Sequence, residues 1–121
     1  MIHKIESLLN KDAADRNADA VFELLSTAQN MRASDVHIVP RRTNCEVLFR
    51  VDGKLLLMCT FPRSNVAEII ARIKVLSHLR IDEQKMPQDG RAEIVAHDMR
   101  VDIRVSCVPT LHGECVVMRL L

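Results

Sequence analysis

The sequence predicts an α+β fold, a mostly antiparallel sheet with helices packed on one face. Three observations predict it. Two segments, about 17–31 and 66–79, carry apolar residues at helical spacing. Six short runs with strand character follow them, three after each helix. The dipeptide Asp52-Gly53 joins two of those runs; it is a tight-turn pair favoured between antiparallel strands because glycine accepts positive φ at low cost. The chain has 121 residues, enough for one domain that buries roughly two-thirds of its unfolded surface.

Taken in order, residues 1–16 read as an N-terminal arm, polar with a short apolar patch of Ile5, Leu8 and Leu9. The first helix follows from Ala18, Val21, Phe22, Leu24, Leu25, Ala28 and Met31, with Asn17 as its cap. Val36 to Val39 is a short strand stopped at Pro40, and Arg41 to Asn44 a polar turn. Cys45, Val47, Phe49 and Val51 alternate with Glu46, Leu48 and Arg50, so the strand over 45–51 has one apolar face. Lys54 to Phe61 is its return strand, broken by Pro62-Arg63-Ser64. Val66, Ile69, Ile70, Ile73 and Leu76 make the stripe of the second helix, with Asn65 and Glu68 placed as a capping box. Arg80 to Asp89 is an irregular, charged connection. Strands over 90–96, 99–108 and 114–121 complete the chain, the first two joined by His97-Asp98. The layout over 17–121 resembles PAS-like and profilin-like modules.

Composition removes several function classes. There is no Trp or Tyr and there are three Phe, too few to stack single-stranded bases. The net charge of +1 gives no strong field toward duplex DNA or an anionic membrane, so no nucleic-acid partner is expected. Cys45, Cys59, Cys107 and Cys115 lack zinc-knuckle spacing and sit in apolar runs; they read as small buried hydrophobes in a reducing compartment. Met1-Ile2-His3-Lys4 opens a charged segment rather than a secretory leader, and no apolar stretch approaches a membrane span. A soluble, cytoplasmic protein is expected.

The chemistry-bearing residues are few. Gly53, Gly90 and Gly113 are far apart, so no phosphate-cradling loop of the P-loop kind is present. His3, His37, His78, His97 and His112 include no metal-protease pair; His37 reads as structural and His112 as an exposed turn residue. Ser106, Asp102 and His112 lack a nucleophile elbow. No catalytic residue and no metal ligand is assigned. Gln88-Asp89-Gly90-Arg91 reads as a turn, with the Asp bonded to the backbone and the Gly left-handed. Arg104 is flanked by Ile103 and Val105 on the opposite face. An arginine on a sheet face beside a second, Arg91, is a candidate anion site, since guanidinium grips phosphate oxygens at two points. Structural ion pairs are the alternative.

Six segments in order carry a family resemblance. They are Ala33-Ser34-Asp35-Val36-His37-Ile38, Arg50-Val51-Asp52-Gly53-Lys54-Leu55, Arg72-Ile73-Lys74-Val75-Leu76, Pro87-Gln88-Asp89-Gly90-Arg91, Val101-Asp102-Ile103-Arg104-Val105-Ser106, and Gly113-Glu114-Cys115-Val116-Val117-Met118-Arg119-Leu120-Leu121. Together they resemble the N-terminal PAS-like domain of the secretion ATPases that drive type II secretion and type IV pilus assembly.

The resemblance implies a nucleotide-sensing, subunit-coupling domain that precedes a P-loop ATPase domain in a cytoplasmic hexamer. In the full-length protein ATP and magnesium would lie in the cleft between the two domains, with Arg91 and Arg104 at the terminal phosphates; this chain alone would bind neither and would not hydrolyse ATP. The implied partners are the chain's own ATPase domain, neighbouring subunits of the homohexamer and inner-membrane platform proteins. The Walker motifs would lie beyond Leu121. The other readings are a free-standing PAS-like sensor of a small ligand and an oligomerisation module.

Overall fold

In a computed structural model, residues 16–96 and 99–121 are described. The helix–three strands–helix–three strands order stands: α1 (Arg16–Asn30), β1 (Asp35–Pro40), β2 (Asn44–Val51), β3 (Lys54–Pro62), α2 (Val66–Leu76), β4 (Gln88–Ala96), β5 (Met99–Thr110) and β6 (Gly113–Leu120). The six strands form one sheet in the order β3-β2-β1-β6-β5-β4, and every neighbouring pair is antiparallel. β1 and β6 meet at the centre, and a hairpin extends outward on each side. The expected arm over 1–16, apart from Arg16, and the expected turn at His97-Asp98 lie outside the described residues.

Alternation sorts each strand onto two faces. The inner face carries Val36 and Ile38, Val47 and Phe49, Ile103 and Val105, and Val116 and Met118, all buried. α1 lies against β1 and β5, α2 against β4, and the helices touch each other. Their stripes, Val21, Leu24 and Leu25 on α1 and Ile69, Ile70 and Ile73 on α2, close the core. Cys45, Cys59 and Cys107 belong to it, whereas Cys115 is half-buried. Burial pushes the Cys45 thiol up to about 12 and the Cys107 thiol up to about 11. The thiolate is the nucleophilic form, so both are inert near neutral pH.

The hairpin at Asp52-Gly53 forms as expected, with φ of 52° and 78° at the two residues, the primed geometry that matches strand twist. β3 gains one extra residue opposite Val47 and Leu48, a bulge that bends this edge strand.

Four local expectations change. The first helix starts at Arg16, so Asn17 lies inside it rather than at its cap. A 3₁₀ turn, Arg63–Asn65, precedes α2 and puts Asn65 in the helical region, where it makes no side-chain cap hydrogen bond. An extended cap geometry is what a capping box needs. Third, α2 stops at Leu76 rather than Leu79. His78 turns left-handed at φ 60°, its N–H reaches the Val75 carbonyl, and the Leu79 N–H reaches the Lys74 carbonyl at 2.8 Å. This is a Schellman stop made without glycine. α1 ends the same way, with Arg32 at φ 57° and the Ala33 N–H on the Ala28 carbonyl at 2.9 Å.

The fourth change concerns Gln88-Asp89-Gly90-Arg91, which opens β4 instead of forming a turn. Gly90 is not left-handed. It faces the core, where an added Cβ would sit 2.7 Å from the Ser77 carbonyl oxygen and 2.8 Å from Leu79 Cδ2. The glycine is there so that the chain leaving α2 can cross the strand. Gly90→Ala is expected to destabilise the fold by about 1–3 kcal/mol through overpacking against backbone. Urea unfolding checks this, and a midpoint equal to wild type would contradict it.

Candidate functional site

The face of the sheet away from the helices is polar at one level. Register places Arg91 of β4 opposite Arg104 of β5, Arg104 opposite Arg119 of β6, Arg119 opposite Asp35 of β1, and Asp35 opposite Arg50 of β2. A lateral row of four arginines and one aspartate therefore crosses five strands. The neighbouring row holds Asp89, Ser106, Val117 and His37. With strands about 4.8 Å apart, the first three arginines are rooted within roughly 10 Å of one another.

Most of the two rows, though not Arg50 or His37, lines one concavity of about 620 Å³, bounded by Asp35, Asp89, Arg91, Arg104, Ser106 and Arg119. The two arginines expected at an anion site are thus brought together, side by side and exposed. Ile103 and Val105 point to the core, as alternation requires. Like charges directly opposite on a sheet repel. Neither Arg91 nor Arg104 has an ion-pair or side-chain hydrogen-bond partner among the described residues.

The acids are otherwise engaged. Asp89 accepts a hydrogen bond from the Ser106 hydroxyl. Ser106 is therefore tied to Asp89, and it does not meet His112, which lies at the β5–β6 turn with its carbonyl on Arg63 at 2.8 Å. Asp35 is only 4% exposed. It receives Arg119 Nε at 3.1 Å, Arg50 Nε at 3.8 Å and the Ser34 hydroxyl at 2.8 Å. Burial raises the Asp35 carboxyl, but the Ser34 hydrogen bond and Arg119 outweigh it, leaving the group below its ordinary value. Burial lowers His37, so it is neutral at pH 7.

Sequence reading missed Arg119, Arg50 and Asp35 as members of the row. The signal that could have found them is alternation carried across strands: Arg119 lies between buried Met118 and half-buried Leu120, and Asp35 precedes buried Val36.

A second set of side chains fixes β4 from the core side. Lys74, 1% exposed, donates to Glu114 Oε1 at 2.6 Å and to the Glu83 carbonyl at 2.7 Å. Gln88 accepts from the Arg80 N–H and donates to the Arg80 carbonyl, both at 2.9 Å. The charged connection before β4 is thereby fastened to α2, β4 and β6. Among the described residues no three His, Cys, Asp or Glu side chains cluster as a metal site, and no helix is long and apolar enough to cross a membrane.

Comparison with known proteins shows which family the chain resembles. Residues 12–121 match the family described as type II/IV secretion system protein. The chain is 45% identical over 98 residues to type II secretion system protein E of Xanthomonas campestris, covering 81% of this chain and 17% of that protein. It is 42% identical over 101 residues to the type IV pilus assembly ATPase PilB of Thermus thermophilus, covering 84% of this chain and 11% of the relative. Among solved structures, the ATPase DotB of Legionella pneumophila superposes with a TM-score of 0.53 at 15% identity, over 93% of this chain and 30% of that one; this likeness is of fold. The chain spans less than a third of the length of each.

Proposed function

The chain belongs to the type II/IV secretion system protein family, and from that premise we propose that it is the nucleotide-sensing, subunit-coupling N-terminal domain of a hexameric cytoplasmic ATPase. The longer protein powers type IV pilus assembly or type II secretion. Within the α+β class we read the layout as PAS-like, with both helices against one face of the antiparallel sheet. The P-loop ATPase domain supplies the Walker motifs and holds ATP with magnesium. This domain faces that nucleotide with Arg91 and Arg104. Its partners are its own ATPase domain, neighbouring subunits and inner-membrane platform proteins, and the assembled ring is peripheral to the inner membrane.

The observation that carries the reading is the pairing of Arg91 with Arg104, directly opposite on an open sheet face and with no direct ion pair to either among the described residues. A row of that kind gives up stability through like-charge repulsion and regains it when an anion arrives. Guanidinium is planar and always charged, and it matches phosphate oxygens at two points. The family relation supplies the anion: the triphosphate of ATP. A hydrolysing phosphate changes charge and position, so the same contacts move the domain with nucleotide state.

In a purely structural, oligomerisation-only role both arginines would sit in ion pairs with acids of this chain or of a neighbour; among the described residues neither makes such a pair, although Asp89 and Asp35 line the same concavity. ATP turnover of the longer protein carrying Arg91→Ala or Arg104→Ala tests the reading; wild-type rates in both would sink it.

A further inference from the structure

We propose that Arg119 is a third anion-directed arginine of this site and that Asp35 is its positioning residue, so that the concavity takes a polyphosphate tail on three guanidinium groups. This rests on the nucleotide reading above and extends it to residues that reading does not use.

Three observations carry it. Arg119 continues the lateral row one strand beyond Arg104, and it lines the same concavity as Arg91 and Arg104. Its side chain is 66% exposed although its partner carboxylate is almost fully buried. Asp35 engages only Nε, at 3.1 Å, and both Nη groups are without a partner among the described residues. An arginine held by Nε keeps its terminal fork for a second oxyanion.

Asp35 is fixed in turn by the Ser34 hydroxyl and by Arg50 from the far side. The carboxylate is therefore a rigid post rather than a mobile surface acid. Holding a side chain by a buried second residue removes rotamer freedom before the ligand arrives, which favours binding.

The experiment titrates inorganic tripolyphosphate into this 121-residue chain at low salt, followed by NMR of backbone amides. Five forms are compared with wild type: Arg91→Gln, Arg104→Gln, Arg119→Gln, Arg119→Lys and the double variant Arg119→Gln/Asp35→Asn. The double variant keeps the net charge of the site and leaves no buried acid without its arginine. Wild type is expected to bind, and every glutamine variant, the double included, to bind roughly tenfold more weakly. Arg119→Lys is expected to recover only part of the loss, since ammonium lacks the fork.

A double variant that binds like wild type, while Arg91→Gln and Arg104→Gln are impaired, overturns the role of Arg119 and leaves the nucleotide reading standing. Unchanged binding in Arg91→Gln and Arg104→Gln as well counts against the nucleotide reading itself. Wild type that fails to bind tripolyphosphate also overturns the three-arginine site.

Discussion

Arg104→Ala in the full-length protein is expected to lower ATP turnover by at least about a hundredfold, because a guanidinium aimed at developing phosphate charge contributes most in the transition state. Arg91→Ala should act in the same direction. The reason lies in the register. Each arginine sits directly opposite the other, and neither charge is spent on an internal acid among the described residues. The loss should appear mainly in kcat, because on the proposed reading the ATPase domain would keep its own hold on the ground-state nucleotide. Arg104→Lys should rescue poorly, since one ammonium cannot reproduce a two-point contact. On the proposed reading the two substitutions touch neighbouring groups on one ligand, so their combined effect should be less than the product of the single ones. The fold should be unaffected: both residues are exposed, and removing either relieves a repulsion.

Lys74→Ala carries the largest expected effect on stability, a loss of about 3–5 kcal/mol in unfolding free energy. Lys74 and Glu114 are both nearly sealed from water, at 1% and 8% exposure. Truncating the lysine leaves a buried carboxylate without its cation, and that uncompensated charge is costly. The Glu83 carbonyl also loses its donor, which unfastens the connection leading into β4. Replacing the pair together, as Lys74→Met/Glu114→Leu, should restore most of the loss or exceed wild type, since a packed apolar pair avoids both desolvation terms. Denaturant unfolding of the three forms checks this. A Lys74→Ala midpoint close to wild type would show that the pair is not sealed.

The helices and strands were legible because apolar periodicity is a local signal: Ile69, Ile70 and Ile73 mark a helix face, and Cys45, Val47 and Phe49 a strand face, without knowledge of their partners. The Asp52-Gly53 hairpin was legible for the same reason. Helix ends were harder, because Arg32 and His78 adopt the left-handed stop that glycine ordinarily marks. Gly90 misled for the opposite reason. A glycine after Gln-Asp suggests a turn, but here it clears the Ser77 carbonyl from a segment eleven or more residues upstream. Arg91 and Arg104 were singled out by motif order, but their apposition depends on strand register. Arg119 depends on more: its partner Asp35 is 84 residues away, joined only because the first and last strands meet at the centre of the sheet. Lys74 gave no signal as a buried cation, since a lysine in a helix is usually solvated.

The central claim is that this sheet face meets the phosphates of a nucleotide held by the ATPase domain. A structure of the full-length protein with a non-hydrolysable ATP analogue and magnesium tests it most directly. The Arg91 and Arg104 guanidinium groups are expected within hydrogen-bond distance, about 2.7–3.2 Å, of phosphate oxygens. An occupied nucleotide site with both arginines turned to solvent or paired to protein acids would contradict it.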